Sequence, residues 1–460
     1  MARHTLARSL TLLALALALA GCGSSRAPES TLLLITVDTL RADHLGAYAS
    51  KRWLTPHVDA LAAQSQVFES AYAPAPFTRP SIAALMTGRE PARIGMWSNV
   101  SHLSEDVPTL AGSFANAGWA TGAVVSNPVL KRGTGLARGF GLYDDNIGET
   151  EAVRDLPERT AAATTDAAVA ALDRLREESA AGLLLWVNYQ DPHGPYTPPP
   201  GYREKFLALE RQQPGGSRPL PLSSGESGQG GIPRYQVLGD ERMPAFYRAG
   251  YAGEVLHVDQ EIGRLLDALR ERGLFDNAVI AFTADHGEGL GENDYWFAHG
   301  ENLSEALLRV PLVIRTPGRQ ATRRAGVAAL VDVAGTLLAE FGLALPGAHD
   351  GRGLLALDAP ASPADVFLST LAYIEPPMFG MLNPSFRYVI DKPGGVTRER
   401  LFRIGEETED VAALHPDAFE ELRNRTRERV RELKASRQEV RTPPGVDERR
   451  QLRALGYVDE

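Results

Sequence analysis

The chain is poor in cysteine, which occurs once in 460 residues, at Cys22. A single cysteine excludes an intramolecular disulfide and every metal site built from several thiolates. A chain of this length can bury enough apolar surface to fold without disulfides. Chemistry in the folded part of the chain must therefore use oxygen and nitrogen side chains.

The sequence also lacks an apolar run long enough to span a membrane. The Leu/Ala run from Leu10 to Ala20 follows the basic residues Arg3 and Arg8, and it is too short to be a stable membrane anchor. This order of basic and apolar residues is typical of a signal peptide, which we place at residues 1–21.

The end of this run, Leu19-Ala20-Gly21-Cys22, resembles a bacterial lipobox, which is cleaved before its cysteine. Lipidation of the Cys22 sulfur would anchor the protein to a bacterial membrane, with residues 22–30 as a tether. Gly23 replaces the Asp that signals inner-membrane retention, so we expect an outer-membrane lipoprotein facing the periplasm or cell surface. The alternative is an ordinary secretory signal with an incidental cysteine.

The net charge of −10 argues against a nucleic acid partner, because such proteins neutralise phosphates with clustered Lys and Arg. It does not exclude a small anionic substrate, since a bound metal ion can dominate the local potential.

Short apolar runs alternate with helical segments along most of the chain. The apolar spacing between Val255 and Leu269 marks one helical face, and Gly273 follows as a candidate C-cap. Nearly continuous apolar runs are typical of strands that are buried on both faces, and they occur at 32–37, 122–126, 183–187, 278–282 and 310–314. The pattern predicts an α/β fold with a large, mostly parallel central sheet flanked by helices on both faces.

The sequence divides into a catalytic domain at 31–364 and a smaller C-terminal α+β subdomain at 365–460. The stretch 196–244 is an insertion, and its Gly/Pro/Ser-rich part at 212–231 is interpreted as a loop that is either a lid or a mobile insertion. Residues 419–437 are dense in Glu and Arg with i,i+4 partners, which predicts a solvated helix.

Polar residues follow several predicted strands. Asp38 follows the first strand, Asp191 follows the third, and Asp285-His286 follows the fourth. In open α/β sheets ligands bind beyond the carboxyl ends of the strands, so we expect these groups at one edge. Carboxylate oxygens and imidazole suit one divalent metal ion, Zn²⁺, Mn²⁺ or Ca²⁺.

Thr78 precedes a helical pattern in which Pro80 fits the first turn and Gly88 ends the helix. A helix N-terminus favours an anionic group, and a metal-activated Thr78 could act there as a nucleophile. The residues alone leave a second interpretation equally open, in which Thr78 is only an N-cap.

Several motifs, in order, resemble those of the sulfatase family within the alkaline phosphatase superfamily. They are Val37–Asp43, Thr78–Arg89, Asp191–Tyr196, Thr283–Glu288, Leu308–Pro311 and Leu452–Tyr457. The resemblance covers nearly the whole mature chain. It implies that Asp38, Asp285 and His286 are metal ligands and that Thr78 is both nucleophile and fourth ligand.

The resemblance also implies roles for other polar residues. His193 and His299 would assist catalysis, His193 at the leaving group. Asn127 would donate a hydrogen bond to the substrate anion, and Arg79 would add positive charge, although its side chain could equally point away.

The sequence departs from the sulfatase pattern at the site. Thr78 stands where sulfatases carry the Cys or Ser that becomes formylglycine, and a secondary alcohol cannot yield that aldehyde, so no formylglycine is expected. Thr39 replaces a second Asp, Ile82 replaces an Arg, and Asn127 lies where the family carries a Lys-x-His motif.

These features favour a metal-dependent hydrolase of phosphodiesters, phosphonate monoesters or sulfate esters, acting on small or glycan-borne anionic esters. Three alternatives remain: a sulfatase without formylglycine, a transferase to a lipid or glycan, and an inactive lipoprotein that binds anionic glycans.

Overall fold

A computed structural model describes residues 30–49, 54–150, 157–178, 181–355, 365–370 and 377–435. The expected signal peptide, Cys22 and the closing motif at Leu452–Tyr457 lie outside these residues. Within the described ranges, no helix combines the length and apolarity needed to cross a bilayer.

The strands and α-helices alternate through the first three quarters of the chain. The strands are β1 (Thr31–Val37), β2 (Gln66–Tyr72), β3 (Ala120–Val125), β4 (Leu142–Asp144), β5 (Glu149–Thr150), β6 (Pro157–Glu158), β7 (Leu183–Tyr189), β8 (Ala278–Ala284), β9 (Gly289–Leu290), β10 (Trp296–Ala298), β11 (Arg309–Val310), β12 (Leu312–Arg315), β13 (Thr322–Ala329), β14 (Val366–Thr370), β15 (Met378–Leu382), β16 (Phe386–Asp391) and β17 (Arg398–Arg403). The helices are α1 (Pro56–Ala62), α2 (Thr78–Thr87), α3 (Leu110–Asn116), α4 (Ala161–Glu178), α5 (Glu204–Arg211), α6 (Pro244–Glu271), α7 (Glu305–Leu308), α8 (Val331–Ala339) and α9 (Pro416–Ala435).

The central sheet contains nine strands in the part of the chain that the structure describes. Strands β8, β1, β7, β3 and β4 are neighbours in that order and run parallel. Helices cover both faces, as the sequence predicts. In the register of β1 and β8, Val37 is the partner of Ala284, so both strands deliver their next residue to the same edge.

The other side of the sheet is mixed rather than parallel. The run predicted as one strand at 310–314 is divided by Pro311, which has no N–H to donate to a neighbouring strand. The resulting β11 and β12 both pair antiparallel with β2, and β12 also pairs antiparallel with β8. The chain returns through β13, which pairs parallel with β2.

The longest helix, α6, extends further toward its N-terminus than its apolar spacing predicts. It begins at Pro244, where a proline fits the first helical position, and it ends just before Gly273, whose φ of +67° suits glycine. Its first turns bury Tyr247 and Tyr251 completely, so they have no solvated face to give a one-sided pattern.

The C-terminal part forms a separate layer. Strands β14 to β17 make an antiparallel sheet in sequential order, and α9 packs on it. One face of α9 carries ion pairs such as Arg425–Glu421, as expected for a solvated helix. The other face buries Leu422 and Leu433, which attaches the helix to the sheet.

Candidate active site

The carboxyl ends of β1 and β8 bring three polar residues together. Asp38 follows β1, and Asp285 and His286 follow β8. All three side chains are fully buried, and one ligand atom of each lies within 4.8 Å of the others. The sequence predicts this juxtaposition, and the parallel register of the two strands produces it.

Neighbouring groups orient each of the three side chains. Asp285 Oδ1 accepts hydrogen bonds from the backbone N–H groups of Thr39 (3.1 Å) and His286 (2.8 Å). His286 Nδ1 lies 2.9 Å from the Gly287 carbonyl, to which it donates, so the Nε2 lone pair points toward the two carboxylates. The distances from Nε2 are 3.5 Å to Asp285 Oδ2 and 3.8 Å to Asp38 Oδ1.

The arrangement has the properties of a cation site. Asp38 Oδ1 and Asp285 Oδ2 are buried and have no hydrogen-bond partner within the described structure. Burial, followed by the charge of Asp285, raises the pKa of Asp38 well above its usual value. Two buried carboxylates ionise together only beside a compensating positive charge, and two oxygens with one imidazole nitrogen suit a divalent metal ion.

Thr39, which replaces the second Asp of the sulfatase pattern, has an unusual backbone conformation. Its φ of +55° is rare for a β-branched residue. The backbone is held by the bond to Asp285 and by the Tyr251 hydroxyl, which donates to the Thr39 carbonyl at 2.8 Å. The Thr39 hydroxyl is buried without a partner in the described part of the chain, so a neutral oxygen takes the place of a carboxylate.

Thr78 is the first residue of α2, and Phe77 occupies the N-cap position. The interpretation of Thr78 as only an N-cap is therefore wrong. Its side chain is fully buried, and Oγ1 lies 3.4 Å from His286 Nε2, the atom that faces both carboxylates. The hydroxyl thus lies at a helix N-terminus and beside the cation site.

Asn127 and Arg79, the two predicted substrate contacts, have different surroundings. The Asn127 amide donates to Asp38 Oδ2, and its Oδ1 accepts the Val129 N–H at 2.9 Å, so it orients a ligand carboxylate. The Arg79 guanidinium is buried and donates to the carbonyls of Val129 (2.7 Å) and Ser101 (2.9 Å). Because these contacts connect two loops, the geometry favours a structural role for Arg79 over the predicted substrate contact.

Asn99 is a candidate that the sequence analysis missed. Its Oδ1 accepts the Arg79 backbone N–H at 2.8 Å, which places the side chain beside the first turn of α2. Its Nδ2 is buried and has no hydrogen-bond partner among the described residues. This amide is a free donor close to Thr78, and no motif in the sequence marks it.

Three imidazoles form a row from the cation site outward. The ring centroids of His286 and His299 are 4.5 Å apart, and those of His299 and His193 are 5.1 Å apart. His193 Nδ1 lies 2.9 Å from the Gly194 carbonyl, to which it donates, and this contact fixes the orientation of the ring. The structure therefore brings both predicted histidines to the site.

Glu288 is the partner of His299 and was also missed, although it belongs to a motif quoted for the family resemblance. Its Oε1 lies 3.2 Å from His299 Nδ1. Burial raises the pKa of Glu288 to about 8 and, together with the charge of His286, lowers the pKa of His299 well below its usual value. His299 is therefore neutral near pH 7, with one ring nitrogen as a donor and the other as an acceptor.

The insertion at 196–244, interpreted as a possible lid with a Gly/Pro/Ser-rich loop at 212–231, packs beside the site. The Tyr235 hydroxyl donates to the Phe297 carbonyl at 2.9 Å, and the Tyr235 ring centroid lies 6.3 Å from that of His193. Backbone bonds from Trp296 N to Gly228 O and from Gly230 N to Asp294 O attach it to the β9–β10 region. The segment forms a wall next to His193.

The fold and the site together define a class. A mostly parallel α/β sheet carries at its strand ends a cation site and a hydroxyl at a helix N-terminus, which is the arrangement of the alkaline phosphatase superfamily. The family model described as Sulfatase matches residues 30–343, and the chain belongs to the sulfatase family.

The sequence identity to individual relatives is low. The chain is 28% identical over 353 residues to iduronate 2-sulfatase of Mus musculus, covering 67% of this chain but only 63% of that protein. Among solved structures, phosphonate monoester hydrolase of Agrobacterium radiobacter aligns with a TM-score of 0.67 and 20% identity, covering 88% of this chain and 95% of the other. A protein solved with its substrate D-glucosamine-2-N,6-O-disulfate aligns with a TM-score of 0.71 and 18% identity, covering 89% of this chain and 100% of the other. These structural similarities support the fold.

Proposed function

We propose that this protein is a metal-dependent hydrolase of phosphoric, phosphonic or sulfuric esters that uses Thr78 as its nucleophile. The observation that carries the proposal is the position of Thr78 Oγ1, buried 3.4 Å from His286 Nε2. It lies at the edge of two carboxylates, each with one oxygen that has no hydrogen-bond partner among the described residues. A hydroxyl that served only packing or capping would not need this environment.

Asp38, Asp285 and His286 are the residues that would hold the metal ion, and Asn127 orients Asp38 for that purpose. When bound, a divalent cation would lower the pKa of the Thr78 hydroxyl and offset the negative charge of the ester. The N-terminus of α2 and Asn99 Nδ2, which has no partner among the described residues, would donate hydrogen bonds to the anion.

The reaction has two steps, and the residues of the chain balance the protons. The Thr78 oxygen, having lost its proton to water, attacks phosphorus or sulfur, and the bond to the leaving oxygen breaks. A protonated His193 gives its Nε2 proton to that oxygen, which leaves as an alcohol. The neutral His193 then takes a proton from a second water, and the resulting hydroxide attacks phosphorus or sulfur. The bond to the Thr78 oxygen breaks, and that oxygen regains from water the proton that it lost in the first step.

The relatives support both ester classes. The mouse relative is named a sulfatase, and the Agrobacterium structure is a phosphonate monoester hydrolase. We favour phosphodiesters and phosphonate monoesters, because Thr78 cannot form the formylglycine that the resemblance associates with sulfate esters. We also propose that the protein is a lipoprotein attached through Cys22 to the outer membrane.

The test is a paired assay on the soluble chain that starts after Cys22. A nitrophenyl phosphodiester and nitrophenyl sulfate are each supplied with Zn²⁺, Mn²⁺ or Ca²⁺, with Thr78→Ala as the control. We expect metal-dependent turnover of the diester that disappears in Thr78→Ala. Turnover of the sulfate alone would reverse the preference, and transfer to an added alcohol in place of hydrolysis would identify a transferase. Bound metal without turnover of either ester would contradict the proposed activity.

A further inference from the structure

Gln236 is a fully buried residue whose side-chain amide has no hydrogen-bond partner at either Nε2 or Oε1 within the described structure. It ends a short 3₁₀ helix at Arg234–Gln236, in the segment that forms the wall next to His193. Buried amides are normally paired, because leaving both the donor and the acceptor unmade is unfavourable. An amide left unpaired in this way calls for a partner from outside the chain.

The amide lies directly against the segment that carries His193. A Cβ atom added to Gly194 would lie 1.9 Å from Gln236 Nε2 and 2.3 Å from Oε1, so only glycine allows the amide to approach this closely. Gly194 also accepts the hydrogen bond that orients His193. The adjacent Tyr235 is anchored to Phe297, which fixes the end of the 3₁₀ helix.

We propose that Gln236 recognises a hydroxyl group on the leaving alcohol of the substrate. This inference rests on the proposed function, in which His193 protonates the leaving oxygen. An amide offers one donor group and one acceptor, and a hydroxyl that neighbours the ester oxygen can use both. Gln236 would therefore select an ester whose leaving alcohol carries a hydroxyl next to the ester oxygen over one that lacks this hydroxyl.

The experiment compares two esters that differ by one hydroxyl, the 4-nitrophenyl ester and the 4-nitrocatechol ester of the acid group that the protein accepts. Gln236→Met removes the amide at nearly constant length, and Gln229→Met is the matched control at an exposed position of the same segment. We expect Gln236→Met to lower kcat/KM for the nitrocatechol ester about tenfold. The nitrophenyl ester should change less than about twofold, and the control should leave both values unchanged.

Binding is measured separately from turnover in Thr78→Ala, with and without Gln236→Met. The 4-nitrophenyl and 4-nitrocatechol esters, as sulfates and as phenylphosphonates, are titrated into each variant by calorimetry. A hydroxyl preference in binding that needs Gln236 would support the inference even if the wild-type protein hydrolyses neither ester, and only the proposed function would then fail. Equal losses for both esters would show that Gln236 only supports the fold of its segment. That result, or a wild-type protein without preference for the hydroxylated ester, would overturn the inference.

Discussion

Two regions of the molecule bring carboxylates together, one partly buried and one fully buried, and the negative charge is offset differently in each. At the contact between the C-terminal helix and the catalytic domain, Arg429 lies 2.6 Å from Glu90 and 3.3 Å from Asp350, and Arg93 lies 3.0 Å from Asp350. At the strand ends, Asp38 and Asp285 face each other and one imidazole, and one oxygen of each has no hydrogen-bond partner in the described part of the chain.

This difference distinguishes a cluster with a structural role from one with a functional role. In the first cluster the protein supplies its own positive charge, so the ion pairs join two parts of the fold. The second cluster could hold a metal ion, and without one the raised pKa of Asp38 favours the protonated form of its carboxyl. Such local conflicts with stability are expected at functional sites.

The largest effect is expected from replacing the candidate nucleophile. Thr78→Val keeps the branched shape but removes the hydroxyl, and kcat/KM should fall by at least about a thousandfold. The metal content, measured by plasma mass spectrometry, should stay near the wild-type value, because the three ligands remain. Thr78→Ser should retain part of the activity, and activity in Thr78→Val would contradict the assignment.

The next prediction uses Asp38→Asn. Burial raises the pKa of Asp38, so its ionised form opposes folding as pH rises through the raised value, and a neutral amide avoids this cost. We expect the variant to lose bound metal. The metal-free variant should have a free energy of unfolding about 1–3 kcal/mol higher than the metal-free wild-type protein near pH 7. Lower stability of the metal-free variant in denaturant titration would show that the carboxylate is structural.

The opposite change in the free energy of unfolding is expected at the cluster of Arg429, Glu90 and Asp350. Arg429→Met leaves Glu90 and Asp350 without their shared cation, which should lower the free energy of unfolding by about 1.5–3 kcal/mol because the cluster is partly buried. Arg431→Met, on the exposed face of the same helix, is the control and should change it by less than about 0.5 kcal/mol. The kcat/KM of the folded Arg429→Met protein should be unchanged, and a selective loss of activity would link this cluster to catalysis.

The last prediction is a pH dependence of the folding stability at Glu90. Burial raises its pKa from 4.5 to about 7, although Arg429 opposes the shift. A raised pKa in the folded state contributes stability below about pH 4.5 that is lost as pH rises through about 7. Wild-type protein should therefore lose about 2–3 kcal/mol relative to Glu90→Gln across this range, measured by denaturant titration at each pH. Parallel pH profiles would contradict the assignment.

Much of the fold, and the meeting of Asp38, Asp285 and His286, could be predicted from the sequence. Four of the five apolar runs become single strands of the central sheet, and the fifth becomes the two strands β11 and β12. The residues after β1 and β8 meet because those strands are parallel neighbours. The direction of β12 could not be predicted, because apolar runs of buried parallel and antiparallel strands look alike.

The contacts of individual side chains in the site could not be predicted from the sequence. Arg79 is adjacent to the nucleophile, yet its guanidinium turns to backbone carbonyls of distant loops. Asn99, Gln236 and the contact of Glu288 with His299 depend on which loops pack together, and no short motif encodes that packing. The Gly/Pro/Ser-rich composition of 212–231 does not predict its contacts with the β9–β10 region, because these also depend on how the loops pack.

The central claim is that Thr78 attacks the ester and is covalently modified during turnover. The most direct measurement is to mix the metal-loaded protein with excess substrate, quench it in acid within the first turnover, and map the modified peptide by mass spectrometry. The account predicts a phosphoryl or sulfuryl group on Thr78, in the peptide that contains Thr78–Arg89, and its absence from Thr78→Val. A group on another residue, or an unmodified Thr78 in protein quenched during active turnover, would contradict the account.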